Sequence, residues 1–150
     1  MKYVMRNVMI ILAVVVAMPA IAGDAASVGD SAPDFTLSDS AGNQVSLSDF
    51  EGKIVVLEWT NYDCPFVRKH YDTGNMQAMQ QEYTSRGVVW LSVCSSASGK
   101  QGNFSAEVVS RRMEEQGAAP TAYLFDPLGR AGRAFGAKTT PHLFVVDGSG

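Results

Sequence analysis

Cys64 and Pro65 stand side by side at the end of an aliphatic and aromatic run, Ile54 to Tyr62, and that placement suggests redox chemistry. Proline suits the first position of a helix, where its fixed φ fits and its missing N–H would be unbonded anyway. The pattern therefore predicts a strand that delivers a thiol to a helix N-terminus. That end of a helix favours anions and draws a cysteine pKa from about 8.5 towards roughly 3.5–7.5. Thiolate is the nucleophilic form, so Cys64 is the candidate nucleophile. Glu58 precedes it on the same run, and strand alternation puts Glu58, Thr60 and Tyr62 on one side. Buried there, Glu58 would have a raised pKa and serve as an acid or base near neutrality; at a strand edge it would simply reach water. Arg68 falls one helical turn past Cys64, either as a cation near the thiolate or as a solvated side chain. Cys94 closes a second apolar run, Val88 to Val93, as a core-filling thiol or a second reactive one.

These residues need elements to hold them. Phe35-Thr36-Leu37 and Val45-Ser46-Leu47 alternate around Ser40-Ala41-Gly42-Asn43, which predicts a β-hairpin. Ile54–Thr60 and Val88–Val93 are strand-length apolar runs suited to a sheet buried on both faces. The helix after Cys64 is expected to break near Thr73-Gly74-Asn75 and restart with Asn75 as N-cap, with Met76, Met79 and Tyr83 on one face and Gly87 as the stop. Phe104–Gln116 predicts a further helix, Ala122–Phe125 a strand, Arg130–Phe135 a short helix and Leu143–Val146 a last strand. Strands alternating with helices define an α/β domain with at least one parallel pair. Asp147-Gly148-Ser149-Gly150 has hairpin-turn chemistry, so a further strand is expected to follow.

The 150-residue chain opens with Lys2 and Arg6, an apolar run from Val8 to Met18, and Ala20-Ile21-Ala22. Basic start, short apolar core and small-residue exit form a secretory signal peptide over residues 1–22. The run is shorter than the ~20 residues of a membrane span, so a membrane association is expected only through an uncleaved signal. Residues 23–31 are small and polar and are expected to be flexible, leaving one domain over 32–150. Loss of Lys2 and Arg6 takes the formal net charge from −3 to −5, which argues against a nucleic-acid binder. Export to an oxidising compartment, here the periplasm, permits a disulfide between the two cysteines without requiring one.

Three motifs in order resemble the thioredoxin superfamily in its redoxin branch, the peroxiredoxin-like alkyl hydroperoxide reductase and thiol-specific antioxidant proteins. They are Ala32-Pro33-Asp34-Phe35-Thr36-Leu37 with its hairpin, the strand–Cys–Pro–helix element from Glu58 to His70, and Thr139-Thr140-Pro141-His142 leading into Leu143–Asp147. The resemblance implies a thioredoxin-like fold with an N-terminal hairpin and with the C-terminal strand and helix missing. It implies that Pro141, preceded by Thr140, is a cis proline beside Cys64, and that Glu58 accepts or relays the proton of thiol exchange. The chain also departs from the pattern. Val67 stands where thioredoxins carry a second cysteine, so this is a single-cysteine Cys-Pro-Phe-Val variant. Asn61 and Leu57 stand where peroxiredoxins carry Thr or Ser and Pro, and Thr60 lies one residue early.

The expected function is thus an exported thiol oxidoreductase with catalytic residues Cys64, Glu58, Thr140, Pro141 and Arg68. Cys64 would attack a peroxide oxygen or a disulfide sulfur, Cys94 would be the possible resolving cysteine, and an external thiol the reductant. No motif requires a cofactor. A monothiol disulfide reductase or isomerase-like protein is the alternative within this class, and two more come from other classes. One is copper handling by Cys64, Cys94 and His142 or His70, since soft thiolates suit Cu(I). The other is a redox sensor or interaction module without turnover.

Overall fold

The computed structural model describes residues 25–150, and the expected signal sequence lies outside the described residues. The hairpin forms from β1 (Thr36–Asp39) and β2 (Gln44–Ser46), one residue later at the start of β1 than the alternation predicts. Leu47 leaves the hairpin to open a 3-10 turn, Leu47–Phe50. Next come β3 (Val55–Trp59), α1 (Pro65–Asp72), α2 (Asn75–Ser85) and β4 (Val89–Cys94), then α3 (Ala106–Gln116), β5 (Ala122–Phe125), α4 (Arg130–Ala134) and β6 (His142–Val146).

The six strands form one sheet in the order β2-β1-β5-β4-β3-β6. β4 lies between β3 and β5 and is parallel to both, while β6 and β1 run antiparallel to their neighbours. Every residue of β3 and β4 is buried, as two-sided burial demands of apolar strands with helices on both faces. Alternation then splits the core. Val55, Leu57 and Trp59 join Leu91, Val93, Phe135 and the hairpin side chains in one layer. Val56, Tyr62, Val67, Tyr71, Trp90, Cys94 and Tyr123 form the other, beneath α1, α2 and α3.

Asn75 is not the N-cap of α2. Gly74 takes that place with φ 75°, a left-handed conformation that glycine adopts without steric cost, and it lets α1 turn directly into α2. The buried face of α2 is Met76 and Gln80, with Tyr83 exposed. Ala26 N donates to Ala134 O at 2.8 Å, so the segment expected to be flexible is tied at that point to the end of α4.

Candidate functional site

Cys64 is the N-cap of α1 and Pro65 its first residue. The loop that brings the thiol there is closed by short-range bonds. Asn61 O accepts from Cys64 N at 2.8 Å, and Asn61 Oδ1 accepts from Asp63 N at 2.9 Å. Cys64 Sγ donates to Thr140 O at 3.2 Å, and the Thr140–Pro141 peptide is cis. Partial burial works against a thiolate here. The Thr140 side chain and the N–H groups of Val67 and Phe66 outweigh it, and they hold the Cys64 pKa below the ordinary thiol value. The first turn of α1 thus does what its dipole and free N–H groups should do for an anion.

Glu58 does not reach solvent. It is fully buried on β3, and its carboxylate accepts from Trp90 Nε1 at 2.9 Å, Gln80 Nε2 at 3.1 Å, Ser92 Oγ at 3.1 Å and Tyr71 Oη at 3.1 Å. Burial raises its pKa more than these donors lower it. Gln80 also bonds Tyr71 Oη, and Tyr71 meets Tyr62 edge to face at 5.3 Å between ring centroids. The carboxylate is therefore held within a buried polar cluster, and Cys64 has its hydrogen bond elsewhere, at Thr140.

The cation that ion-pairs with the loop before α1 is Arg112, whereas Arg68 makes no ion pair among the described residues. Arg68 is exposed, and its backbone N–H closes the first turn of α1 on Cys64 O. Arg112 of α3 instead pairs with Asp63 at 2.7 Å while lying over the Phe104 ring at 4.1 Å. Sequence spacing does not reveal this pair, because Asp63 and Arg112 are far apart in the chain and meet only in the folded protein. A second loop, between β4 and α3, clasps the first. Gln101 Nε2 donates to Asp63 O at 3.3 Å, and Asn61 Nδ2 to Gln101 O at 3.4 Å. Gly102 approaches so closely that a Cβ there would lie 2.5 Å from Asn61 Cγ.

Cys94 ends β4, is buried, and donates weakly to Ser96 Oγ and Gly102 O, both at 3.4 Å. It belongs to the layer against which Cys64 packs. Both cysteines are free thiols. His142 stacks on Phe144 with centroids 4.3 Å apart, and its Nδ1 is buried without a partner. Among the described residues no group of three or more His, Cys, Asp or Glu side chains is placed to hold a metal ion. The set of Cys64, Cys94 and His142 or His70 expected for copper is therefore not assembled, because β6 directs the His142 ring onto Phe144.

One further network was not anticipated. Asp126 is buried at the end of β5, accepts from Ser95 Oγ at 2.6 Å and from the N–H groups of Arg130 and Gly132, and so anchors the start of α4. Ser95 Oγ in turn accepts from Trp59 Nε1 at 3.0 Å. Trp59 and Ser95 of this network line an open groove of about 250 Å³ together with Thr60, Asn61, Lys138 and Thr140.

A model of the AhpC/TSA family matches residues 28–150. The chain belongs to that family. No curated protein sequence matches it. Among solved structures this AhpC/TSA chain resembles an uncharacterised conserved protein of Geobacillus kaustophilus, with a TM-score of 0.72, 27% identity and 81% of the chain covered. The chain spans only 64% of that protein's length. It also resembles a candidate thiol:disulfide interchange protein, DsbE, of Chlorobium tepidum, at 30% identity and TM-score 0.64, with 81% of this chain and 79% of that one covered. The thioredoxin domain of a thiol-disulfide oxidoreductase of Bacteroides vulgatus matches at 22% identity and TM-score 0.64, with 84% and 85% covered, a likeness of fold. The AhpC/TSA chain thus has the mixed α/β thioredoxin-like architecture that the resemblance implied.

Proposed function

We propose that this AhpC/TSA protein is an exported thiol oxidoreductase that works by thiol–disulfide exchange, with Cys64 as nucleophile and Cys94 as resolving thiol. The carrying observation is the Cys64 sulfur at the N-terminus of α1, its thiolate favoured by Thr140 and by the N–H groups of Phe66 and Val67. In the cycle, Cys64 thiolate attacks one sulfur of a disulfide, the old S–S bond breaks, and the other half leaves as a thiolate. Cys94 then attacks the Cys64 sulfur of the mixed disulfide, releases the bound half as a second thiol, and leaves a Cys64–Cys94 disulfide. Two equivalents of an external thiol reduce it and are themselves joined as a disulfide. Thr140 and Pro141 border the thiol, and Glu58 supports the elements that present it. The charged start and apolar run before Ala22 support export to the periplasm.

Peroxide reduction is a second reading. The buried Thr60 hydroxyl has no hydrogen-bond partner and lies beside the catalytic loop, where it is available to a peroxide oxygen. The pre-reduced protein, treated separately with hydroxyethyl disulfide and with hydrogen peroxide, distinguishes the two when Cys64 and Cys94 are followed by mass spectrometry. Fast mixed-disulfide formation at Cys64 with little response to peroxide is the expected result. Rapid sulfenic acid at Cys64 would favour the peroxidase. A Cys64 no faster than a free thiol in both assays overturns the catalytic reading, with Cys64→Ser as the blank.

A further inference from the structure

Tyr123 is almost wholly buried, 1% exposed, yet its hydroxyl has no hydrogen-bond partner. A buried hydroxyl left unbonded forfeits its hydration, and native interiors hold few of them. Its position in the sheet identifies its neighbours. In the parallel ladder between β4 and β5, Ser92 faces Tyr123 and Cys94 faces Phe125. Strand alternation therefore puts the Tyr123 and Cys94 side chains on the same face as diagonal neighbours, and both lie in the layer beneath α1 to α3. The two groups also sense each other. Burial first, and then the charge that a Cys94 thiolate would carry, push the Tyr123 pKa far above the ordinary tyrosine range. Tyr123 thus stays protonated and keeps an O–H to give.

The other polar atoms beside Cys94 Sγ are Gly102 O and Ser96 Oγ. Gly102 O can only accept, and in the reduced protein it receives the Cys94 S–H, as does Ser96 Oγ. A sulfur that acquires negative charge here loses the bond to Gly102 O, keeps the Ser96 hydroxyl only if that group turns to donate, and gains from a further donor. Tyr123 is a buried donor with nothing else to bond.

We propose that Tyr123 is a further catalytic residue, whose hydroxyl donates a hydrogen bond to the thiolate that departs from Cys94 when the Cys64–Cys94 disulfide is reduced. The step rests on the thiol-exchange cycle proposed above. An external thiolate attacks Cys64 Sγ, the bond between Cys64 and Cys94 breaks, and its electron pair goes to Cys94 Sγ, which the Tyr123 O–H receives. The attacking sulfur is now joined to Cys64, and a second external thiol displaces it as a disulfide. Reduction is faster when the leaving thiolate is better stabilised. The same bond works in reverse, favouring the anionic Cys94 that attacks the Cys64 mixed disulfide.

The test oxidises wild type, Tyr123→Phe and Cys94→Ser with hydroxyethyl disulfide and identifies the products by mass spectrometry. Reopening under excess 2-mercaptoethanol is then followed by quenching and alkylation. The expected result is an internal disulfide in wild type and in Tyr123→Phe, reopening on the order of tenfold more slowly in the variant, the scale of one hydrogen bond to a charged group. The alkylation rate of reduced Cys64 in the variant reports that its fold is intact. Equal reopening rates overturn the role of Tyr123 and leave the two-thiol cycle standing. A wild type that forms only external mixed disulfides, as Cys94→Ser must, overturns the cycle and this inference together.

Discussion

At the scale of single residues, the site rests on two opposite treatments of an acid. Cys64 is held where its anion is favoured, Glu58 where its anion is disfavoured. For Cys64 the Thr140 side chain is one cause of the lowered pKa, so Thr140→Val should move the midpoint of its pH-dependent alkylation upward and slow the reaction at pH 6. An unchanged midpoint would show that the N–H groups of α1 suffice. For Glu58 the folded pKa is raised by burial, so the folded protein keeps a proton that the unfolded chain has released. Its contribution is therefore most favourable below the unfolded value of about 4.3 and falls as pH rises through the folded value, by at most about 1.4 kcal/mol per pH unit. Urea unfolding of wild type across that window should show the decline, and Glu58→Gln should flatten it. The amide fits. Its oxygen can take the place where Trp90, Gln80 and Ser92 converge, and its nitrogen can face Tyr71 Oη. Glu58→Ala instead leaves those donors buried and unbonded, at a cost of at least about 3 kcal/mol.

At the scale of elements, what the sequence reveals and what it hides divide by distance along the chain. The Cys64–Pro65 helix start, the strands β3 and β4 and the hairpin are local patterns of composition and period, and each forms within a residue or two of its expected bounds. The α2 face is not local. Gln80 looks like a surface residue between Met79 and Gln81, and it is buried because Glu58, Tyr71 and the Ala119 N–H need its amide. Arg112 and Gln101 likewise join the site only through packing of α3 and of the loop before it. That loop supplies a prediction of its own. Gly102 combines a φ of +87° with a close approach to Asn61, whose side chain is anchored to Asp63 N. Gly102→Ala should destabilise by about 1–3 kcal/mol, through backbone strain and crowding. Because the displaced Asn61 also holds the Cys64 backbone, alkylation of Cys64 should change with it. Denaturation and alkylation measured on one sample check both halves.

At the scale of the molecule, the sheet has unequal borders. β2 ends it on one side, polar and short, while β6 ends it on the other with Leu143 40% exposed and Val145 71% exposed. A strand edge with unpaired backbone groups and apolar side chains invites pairing with another chain. Light scattering should show concentration-dependent association of the 150-residue chain, reduced by Val145→Lys, which places a charge on the exposed face.

The division of β3 between two layers has a consequence for how the sheet finds its pairing. Val55, Leu57 and Trp59 enter one layer and Val56 and Glu58 the other, so a slip of a single residue exchanges the two sets. For the aliphatic residues the exchange is nearly indifferent, since both layers are apolar. For Glu58 it is not, because the opposite layer, around Leu47, Leu91 and Phe135, offers a carboxylate no donors of the kind that Trp90 and Gln80 provide. The acid that weakens the finished fold at high pH therefore proofreads its assembly, admitting one alignment of a strand whose aliphatic side chains would accept two.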